Sequence, residues 1–592
     1  MQTLSKVSIY NFKSCRNLED VEFADFTPLV GYNNAGKSNV LAALQWVLKK
    51  SVLPESAFFD PASAVRVEAR ITGLTQKIID NLGTTHKPKI EPFVKDGVVE
   101  IQREQPRPGG SASDIKLKVR DLSKPAGDAA AWKENPSGID NAISALFPEP
   151  ISIAAMDDAG KDIGKFETGS TIGKLIAKLM TAMKETQGKE IARRLDELRK
   201  LLDAEGDERA IELENFDRKA NGIVAEFFPG VEVRVHVPAP ELTTMFKAGT
   251  IKVYETNGAG PVDPNGRDVS SLGHGAQRAI QMALIRQLAE SAEASKGGRT
   301  LLLIDEPELY MHPQAVAKVR SALRKLSSGP YQVIFTTHSP LMIGRDEIGA
   351  VLVLCKNDAN GTTKRKRLAQ AIAALEKEAQ AQLDELFSVE GAGQVLFSDR
   401  VILAEGKTER ELVPDLFEAL YGAPPADHRI GFVALDGSGN TAKCLKVLGQ
   451  MGIPTRAVVD LDYAFRGAVS SKVLDVNDED IAACKALCPA IADAMGVALG
   501  DDGFFSKHKR RECFEILAAD VTAEKYISSL HTKLKDKDIW LWTKGAIEPH
   551  VGLTSKDYKA WHAMRKALQQ KKLGAVADST GVEACLRWLA GE

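Results

Sequence analysis

Aliphatic runs that stop abruptly at acidic, glycine or small polar residues recur along this chain. "RTLLLIDEPELYMHP" (299–313), "YQVIFTTHSP" (331–340), "RVILAEGKTERELV" (400–413) and "PTRAVVDLDYAF" (454–465) each carry an apolar stretch up to a polar break. Continuous rather than alternating apolar residues mark strands buried on both faces, as in parallel sheets covered by helices. "RIGFVALDGSGN" (429–440) reads as another such strand, ending at Asp436, Gly437 and Gly439. Residues 168–225 have a different period. Apolar positions recur every three to four residues among many charges, which predicts two amphipathic helices. "VEVRVHV" (231–237) and "TIKVYET" (250–256) alternate and predict strands. Residues 65–160 mix short β-like runs with Gly/Pro-rich loops such as "EQPRPGGSASD" (104–114), and the charged stretch 356–398 reads as a linker holding one helix.

These elements predict an α/β protein of two bodies. The first is split by the helical insert into residues 1–167 and 226–390, with 168–225 between them. The second is a strand–helix alternation with a parallel-sheet core, over 391–592. The chain has 592 residues, enough for several domains, and its formal net charge is −3 at pH 7. It is not basic in bulk, so any nucleic-acid contact must come from local patches such as "KHKRR" (507–511). Seven scattered cysteines (15, 355, 444, 484, 488, 513 and 585) lack zinc-type pair spacing, and neither a signal-peptide core nor a membrane-length apolar run is found. A reduced, cytoplasmic protein without membrane contact is the expectation.

The residues 31–38, "GYNNAGKS", fit the phosphate-loop pattern G-x-x-x-x-G-K-[ST] in full, after a strand and before a helix. Asn33, Asn34, Gly36, Lys37, Ser38 and Asn39 are the candidate nucleotide contacts, with Lys37 reaching the β/γ-phosphates and Ser38 a magnesium ion. Later elements extend the set. Asp305 at a strand end suits the magnesium shell, and Glu306 suits a water-orienting or water-deprotonating role. His338 is placed to sense the γ-phosphate. In "SSLGHGAQR" (270–278), Gly273 and Gly275 make a small-residue turn that opens a helix and suits phosphate.

Carboxylates end several of the later strands. Glu405 follows "VILA", and Glu409 lies one helical turn on. Asp460 and Asp462, two residues apart, would project to one face from a strand end. Gly406 would let the chain turn so that both glutamates face one site. Sites in such sheets gather beyond the carboxyl ends of strands. Four carboxylates in one pocket repel unless a cation neutralises them, and an all-oxygen set favours Mg²⁺ or Mn²⁺ over Zn²⁺. Two such ions can clamp a phosphodiester displacement. In "IWLWTKGAIEPHVG" (539–552), Lys544 is a candidate for stabilising charge on a scissile phosphate, and Glu548 for holding a metal or fixing Lys544. Lys407 and Ser438 are candidate phosphate contacts.

With these motifs in hand, the first body resembles the ABC-type ATPases of the SMC and RecF kind. "GYNNAGKSN" resembles their Walker A, "LLLIDEPELYMHP" their Walker B with D-loop, "SSLGHGAQR" their signature and "TTHSP" their switch-histidine loop. Gly273 stands where the signature serine is usual, with Ser271 two residues earlier. The resemblance implies nucleotide shared between two heads and hence a homodimer, with the insert pairing with its copy. Glu405, Asp460 and Asp462 match the Toprim domain. The whole chain resembles the overcoming-lysogenisation-defect (OLD) nucleases, and in spacing their class 2 members, relatives of the Gabija nuclease subunit. This resemblance implies ATP, one magnesium with the nucleotide and two ions in the Toprim site, DNA cleavage, and a UvrD-like helicase partner in phage defence. The alternative is a DNA-repair ATPase of the SMC/RecF kind with a non-catalytic Toprim scaffold. A topoisomerase would need a tyrosine nucleophile, for which Tyr526 and Tyr558 lack a recognisable DNA-cleaving domain.

Overall fold

The computed structural model describes residues 2–125, 128–134, 136–147, 150–155, 171–238, 251–255, 265–290, 299–329, 331–357, 359–373, 389–435, 437–506 and 508–592. Asp436 and Lys507, both singled out above, lie outside the described residues. The chain divides into two compact units. The first comprises Met1–Pro150, Gly297–Glu306 and Gln332–Glu592; the second comprises Ile151–Lys296 and Pro307–Tyr331. No described helix is long and apolar enough to cross a membrane.

Strands are numbered in chain order. In the first unit β1 (Thr3–Phe12), β2 (Cys15–Glu22), β3 (Phe26–Val30), β4 (Val65–Thr72), β5 (Val99–Gln105), β6 (Lys116–Arg120) and β7 (Trp132–Glu134) are joined by β11 (Thr300–Ile304), β12 (Tyr331–Thr336), β13 (Leu352–Asn357) and β14 (Gly361–Lys364). They line up in the order β7-β6-β5-β4-β1-β2-β14-β13-β3-β12-β11. The β7-to-β2 part is antiparallel, and β4 within it alternates buried with half-buried residues. Pairs β3–β12 and β3–β13 are parallel, and β3 and β12 are buried throughout. Their apolar runs were legible for that reason. The start of the expected 356–398 linker is strand instead. β13 and β14 pair antiparallel, taking in residues 356–357 and 361–364, and Gly361 of β14 pairs with Cys15 of β2, so this part of the charged stretch belongs to the sheet.

A second sheet in the same unit holds β15 (Arg400–Ala404), β16 (Ile430–Ala434), β17 (Thr455–Val459) and β18 (Ile539–Leu541), all parallel in the order β16-β15-β17-β18. One apolar core joins the two sheets. Val30, Val351 and Val353 belong to the same buried cluster as Val395, Val401 and Leu403. The contact continues at the surface. The Arg365 guanidinium donates to the Ser398 and Asp399 carbonyls (3.0 and 3.2 Å), and the Arg429 guanidinium lies 4.7 Å from the Tyr32 ring centroid.

The second unit contains helices Thr171–Leu202 and Ile211–Phe227 at the predicted insert, helix Pro313–Ser327, and the short strands β8 (Ile151–Ile153), β9 (Lys252–Val253) and β10 (Arg267–Asp268). "VEVRVHV" forms no strand. Its backbone is captured by helix side chains instead: Val233 N–H donates to Asn221 Oδ1 (2.6 Å) and Val235 N–H to Asp217 Oδ1 (2.9 Å). An alternating pattern was outcompeted by side-chain acceptors that no local period reveals.

Candidate active site

The phosphate loop leaves β3 at Gly31 and enters helix Lys37–Leu48. Gly31 and Gly36 have φ of 147° and 96°, and a Cβ on Gly36 would stand 2.0 Å from Thr362 Oγ1. Both positions therefore require glycine, for conformation and for space. Lys37 is buried, its ammonium donating to the Gly31 and Tyr32 carbonyls (2.9 and 3.1 Å). Asn39 is anchored to Ser14 Oγ (2.7 Å), which meets Thr362 Oγ1 at 2.7 Å. A cavity of about 670 Å³ is lined by residues 33–39 with Glu306 and His338. Asp305 follows β11 and accepts a hydrogen bond from Thr336 Oγ1, while Glu306, at φ 48°, donates its N–H to the same oxygen (2.9 Å). His338 Nε2 is 3.4 Å from Glu306 Oε1. Burial, and then Lys37, lower the His338 pKa, so the ring is neutral at pH 7. Gly273 and Gly275 belong to the second unit, at the start of helix His274–Glu290, where a Cβ on Gly275 would meet the Tyr310 carbonyl at 2.7 Å.

The carboxylates gather at the carboxyl ends of β15 and β17. Glu405 follows β15 and its Oε2 accepts the Asp460 N–H (2.9 Å). The Glu405 carbonyl accepts from Gly437 N–H (3.0 Å), which ties the ends of β15 and β16 together. Two local expectations are corrected. Gly406 is extended, at φ −138° and ψ −174°, so it makes no special turn; a Cβ there would approach Glu409 Oε2 to 3.2 Å. Asp460 and Asp462 do not share a strand face either. β17 stops at Val459, and Asp462 opens the short helix Asp462–Phe465.

Glu409 and Glu548 are buried, and Asp460 beside them is partly buried. Burial, reinforced by Asp460, pushes Glu409 up to about 8. Asp460 is raised well above the usual carboxylate range by burial and then Glu405; Asp462 is raised by burial against the opposing pull of Arg510 and Arg466. Glu548 is wholly buried and accepts from Thr408 Oγ1 (2.6 Å) and from the Lys556 ammonium (3.1 Å), which also lies 3.9 Å from Asp460 Oδ2. The Lys544 ammonium is paired with Asp578 (2.9 Å), which also binds the buried His550 Nδ1 (2.8 Å), while the neighbouring Gly545 lines the carboxylate cavity and its carbonyl accepts the Leu461 N–H (2.9 Å). Lys556 is the cation the sequence reading missed. It sits in "GLTSKDYKAW", a loop with no motif, and reaches the carboxylates only through the fold.

Glu409 Oε1, Asp460 Oδ1 and Glu548 Oε2 are buried and make no hydrogen bond. Buried carboxylate oxygens without partners are costly, and an all-oxygen set of this kind suits a hard divalent cation. Among the described residues no three His, Cys, Asp or Glu side chains are already drawn together at metal-holding geometry. The donor set fits such an ion in its chemistry, with side-chain closure left to binding. Above it, His508, Lys509, Arg510 and Arg511 line a cavity of about 530 Å³ together with Glu405, Asp460, Asp462 and Lys556. Arg510 lies 3.7 Å from Asp462, and Lys509, at φ 51°, precedes the helix Arg510–Ala519. Lys407, at the start of helix Lys407–Tyr421, is exposed.

A phosphate-loop ATPase sheet that shares an apolar core with a separate parallel sheet bearing strand-end carboxylates defines a nucleotide-binding protein with a Toprim-type domain. Comparison with known families agrees. The AAA ATPase domain family matches residues 3–122 and 148–343, and the "Overcoming lysogenization defect protein-like, TOPRIM domain" family matches 396–462. The chain is 36% identical over 604 aligned residues to the Old nuclease of Escherichia phage P2, covering 99% of each. It is 27% identical to the OLD nuclease of Thermus scotoductus over 32% of this chain and 35% of that one. Among solved structures, an Smc head bound to the C-terminal winged-helix domain of ScpA aligns with a TM-score of 0.37 and 16% identity, over 62% of this chain and 99% of that one. This chain belongs to the overcoming-lysogenisation-defect (OLD) family.

Proposed function

We propose that this protein is an ATPase-coupled DNA nuclease that hydrolyses phosphodiester bonds at the Toprim carboxylates. The observation carrying this reading is the set of partnerless, buried oxygens of Glu409, Asp460 and Glu548 beneath a basic wall. Mg²⁺ or Mn²⁺, two ions in all, would supply charge neutralisation and an activated water there. Glu405, Glu409, Asp460, Asp462 and Glu548 would hold them. Lys556 would balance the phosphate's developing charge, and His508, Lys509 and Arg511 would contact flanking phosphates. At the other site Lys37 would release its two carbonyls for ATP phosphates. Ser38 and Asp305 would hold a magnesium, Glu306 would orient water, and Gly273 and Gly275 would serve the phosphates of a partner head. Plasmid nicking by Asp460→Asn in Mg²⁺ or Mn²⁺ tests the reading: nicking at the wild-type rate overturns it.

Ile211, Phe216, Ile223 and Phe227 expose 58–71% of their surface on one helix, and a homodimer through the insert would cover them. Light scattering on the wild type and on Phe216→Glu tests that. From the resemblance we infer class 2 membership, a UvrD-like helicase partner and a role in phage defence; co-purification and phage challenge test them. A second reading, an ATPase with an inert Toprim scaffold, has Lys556 in its favour, because that ammonium already neutralises Glu548 without a metal. The same nicking assay separates the two: a scaffold leaves wild type inactive.

A further inference from the structure

We propose that Tyr558, backed by His562, is a stacking platform for an unpaired nucleobase next to the scissile phosphate. This rests on the nuclease reading above. Tyr558 is the first residue of helix Tyr558–Lys571 and is 69% exposed. His562, one turn on, is also exposed, and the two rings lie 11° from parallel with centroids 6.5 Å apart. Large aromatic rings held side by side in solvent at a helix start contribute nothing to the core, which takes Met564 and Leu568 from the opposite side of this helix.

Three links hold the pair in register with the carboxylates. Lys556, two residues before Tyr558, has its ammonium on Glu548. A two-residue separation keeps the Cα atoms within about 7 Å. Asp557 fixes the helix start by accepting the Ala560 N–H (2.9 Å). Arg565, on the same helix, clamps Asp415 and Glu411 (2.7 and 2.8 Å), which lie on the helix that carries Glu409. The helix that carries the rings is therefore anchored to the elements that carry the carboxylates.

The surrounding charge selects the occupant. Lys509, Arg510, Arg511 and Lys556 share the cavity lining with Glu405, Asp460, Asp462 and Glu512 and offer a polyanion its cationic contacts, and Lys559 beside Tyr558 is exposed. A strand whose phosphate meets the Lys556 ammonium has Tyr558 two residues along the backbone from that contact. A ring face offers a phosphate nothing, but every base has a face to stack on it. In an intact duplex those faces are occupied by neighbouring bases. The platform thus favours a single strand, a frayed end or a flipped base over continuous duplex.

The test uses the full-length protein without divalent cation, so that nothing is cut, and measures binding of a labelled single-stranded oligonucleotide. Stacking contributes about 1–3 kcal/mol per base, so Tyr558→Ala is expected to weaken binding by about 5- to 150-fold. Tyr558→Phe should keep the affinity, and His562→Ala should lose part of it. Moving one abasic nucleotide along the oligonucleotide should weaken the wild type at one position and leave Tyr558→Ala indifferent to that position. Wild-type affinity in Tyr558→Ala, an equal loss on single strand and duplex, or an altered oligomeric state with no abasic effect each overturn the proposal. A wild type that cuts no DNA overturns the nuclease reading instead.

Discussion

The Arg429 guanidinium, at the head of β16, rests 4.7 Å from the ring centroid of Tyr32, whose carbonyl receives the Lys37 ammonium. The Tyr32 hydroxyl is held in turn by Lys356, accepting its N–H and donating to its carbonyl, both at 2.9 Å. A residue immediately before a strand of the second sheet thus touches the phosphate loop. Cation–π contacts at exposed sites contribute about 0.5–1 kcal/mol. Arg429→Ala should therefore change the Kd for ATP by about two- to fivefold, although residue 429 is outside the nucleotide cavity. Titration calorimetry checks this; an unchanged Kd would show the contact to be passive.

Lys556 gives a sharper expectation. Among the described residues its ammonium is the positive group nearest the buried Glu548 (3.1 Å) and the partly buried Asp460 (3.9 Å). Lys556→Met should slow single-turnover nicking by about 10²–10³-fold at saturating metal, the usual effect of removing one preorganised charge stabiliser. Lys544→Met should act mildly, because its partner is Asp578. If the two variants exchange these effects, Lys544 is the group at the phosphate.

Gly36→Ala tests the loop. The left-handed backbone and the 2.0 Å approach to Thr362 Oγ1 together forbid the methyl without displacement. ATP hydrolysis should fall below detection, with stability lower by about 1–3 kcal/mol. Replacing Thr362 by Ala in the same chain should restore part of the stability and not the hydrolysis, because φ remains positive.

The pH dependence has a definite sign. Glu409 holds its proton up to about pH 8 when folded, against 4.5 for an ordinary glutamate. Between those values the folded chain binds more protons than the unfolded one, so stability falls as pH rises. The loss is absent below 4.5, accumulates up to about 8, and is flat beyond. Chemical denaturation in EDTA across that window should show it, and Glu409→Gln should flatten the curve. Metal binding must expel this proton, so affinity should tighten as pH rises towards 8.

Much of this was legible because its signals are local. The phosphate loop is eight consecutive residues, and Asp305, Glu405 and Asp460 follow buried apolar runs that announce their strand ends. What failed depended on distant partners. Lys556 meets Glu548 from an unremarkable loop, the 352–364 hairpin completes a sheet begun at residue 15, and 231–237 is bound by Asn221 and Asp217 rather than by another strand. The expected face-sharing of Asp460 and Asp462 failed because β17 ends at Val459, before either aspartate.

The closeness of β13 to the phosphate loop has a use at the bench. A Cβ on Gly31 would strike the Leu354 carbonyl, and the next residue is Cys355. Of the seven thiols, the other six are buried, while Cys355 is half-buried with its sulphur 3.2 Å from Thr363 Oγ1. Burial also pushes Cys15 up to about 11 and Cys484 and Cys488 up to about 12, which starves them of thiolate. A maleimide dye added to the untouched wild-type chain would therefore settle first at one address, a single step along the backbone from the carbonyl that abuts the nucleotide loop. The native sequence already carries a reporter position for ATP loading.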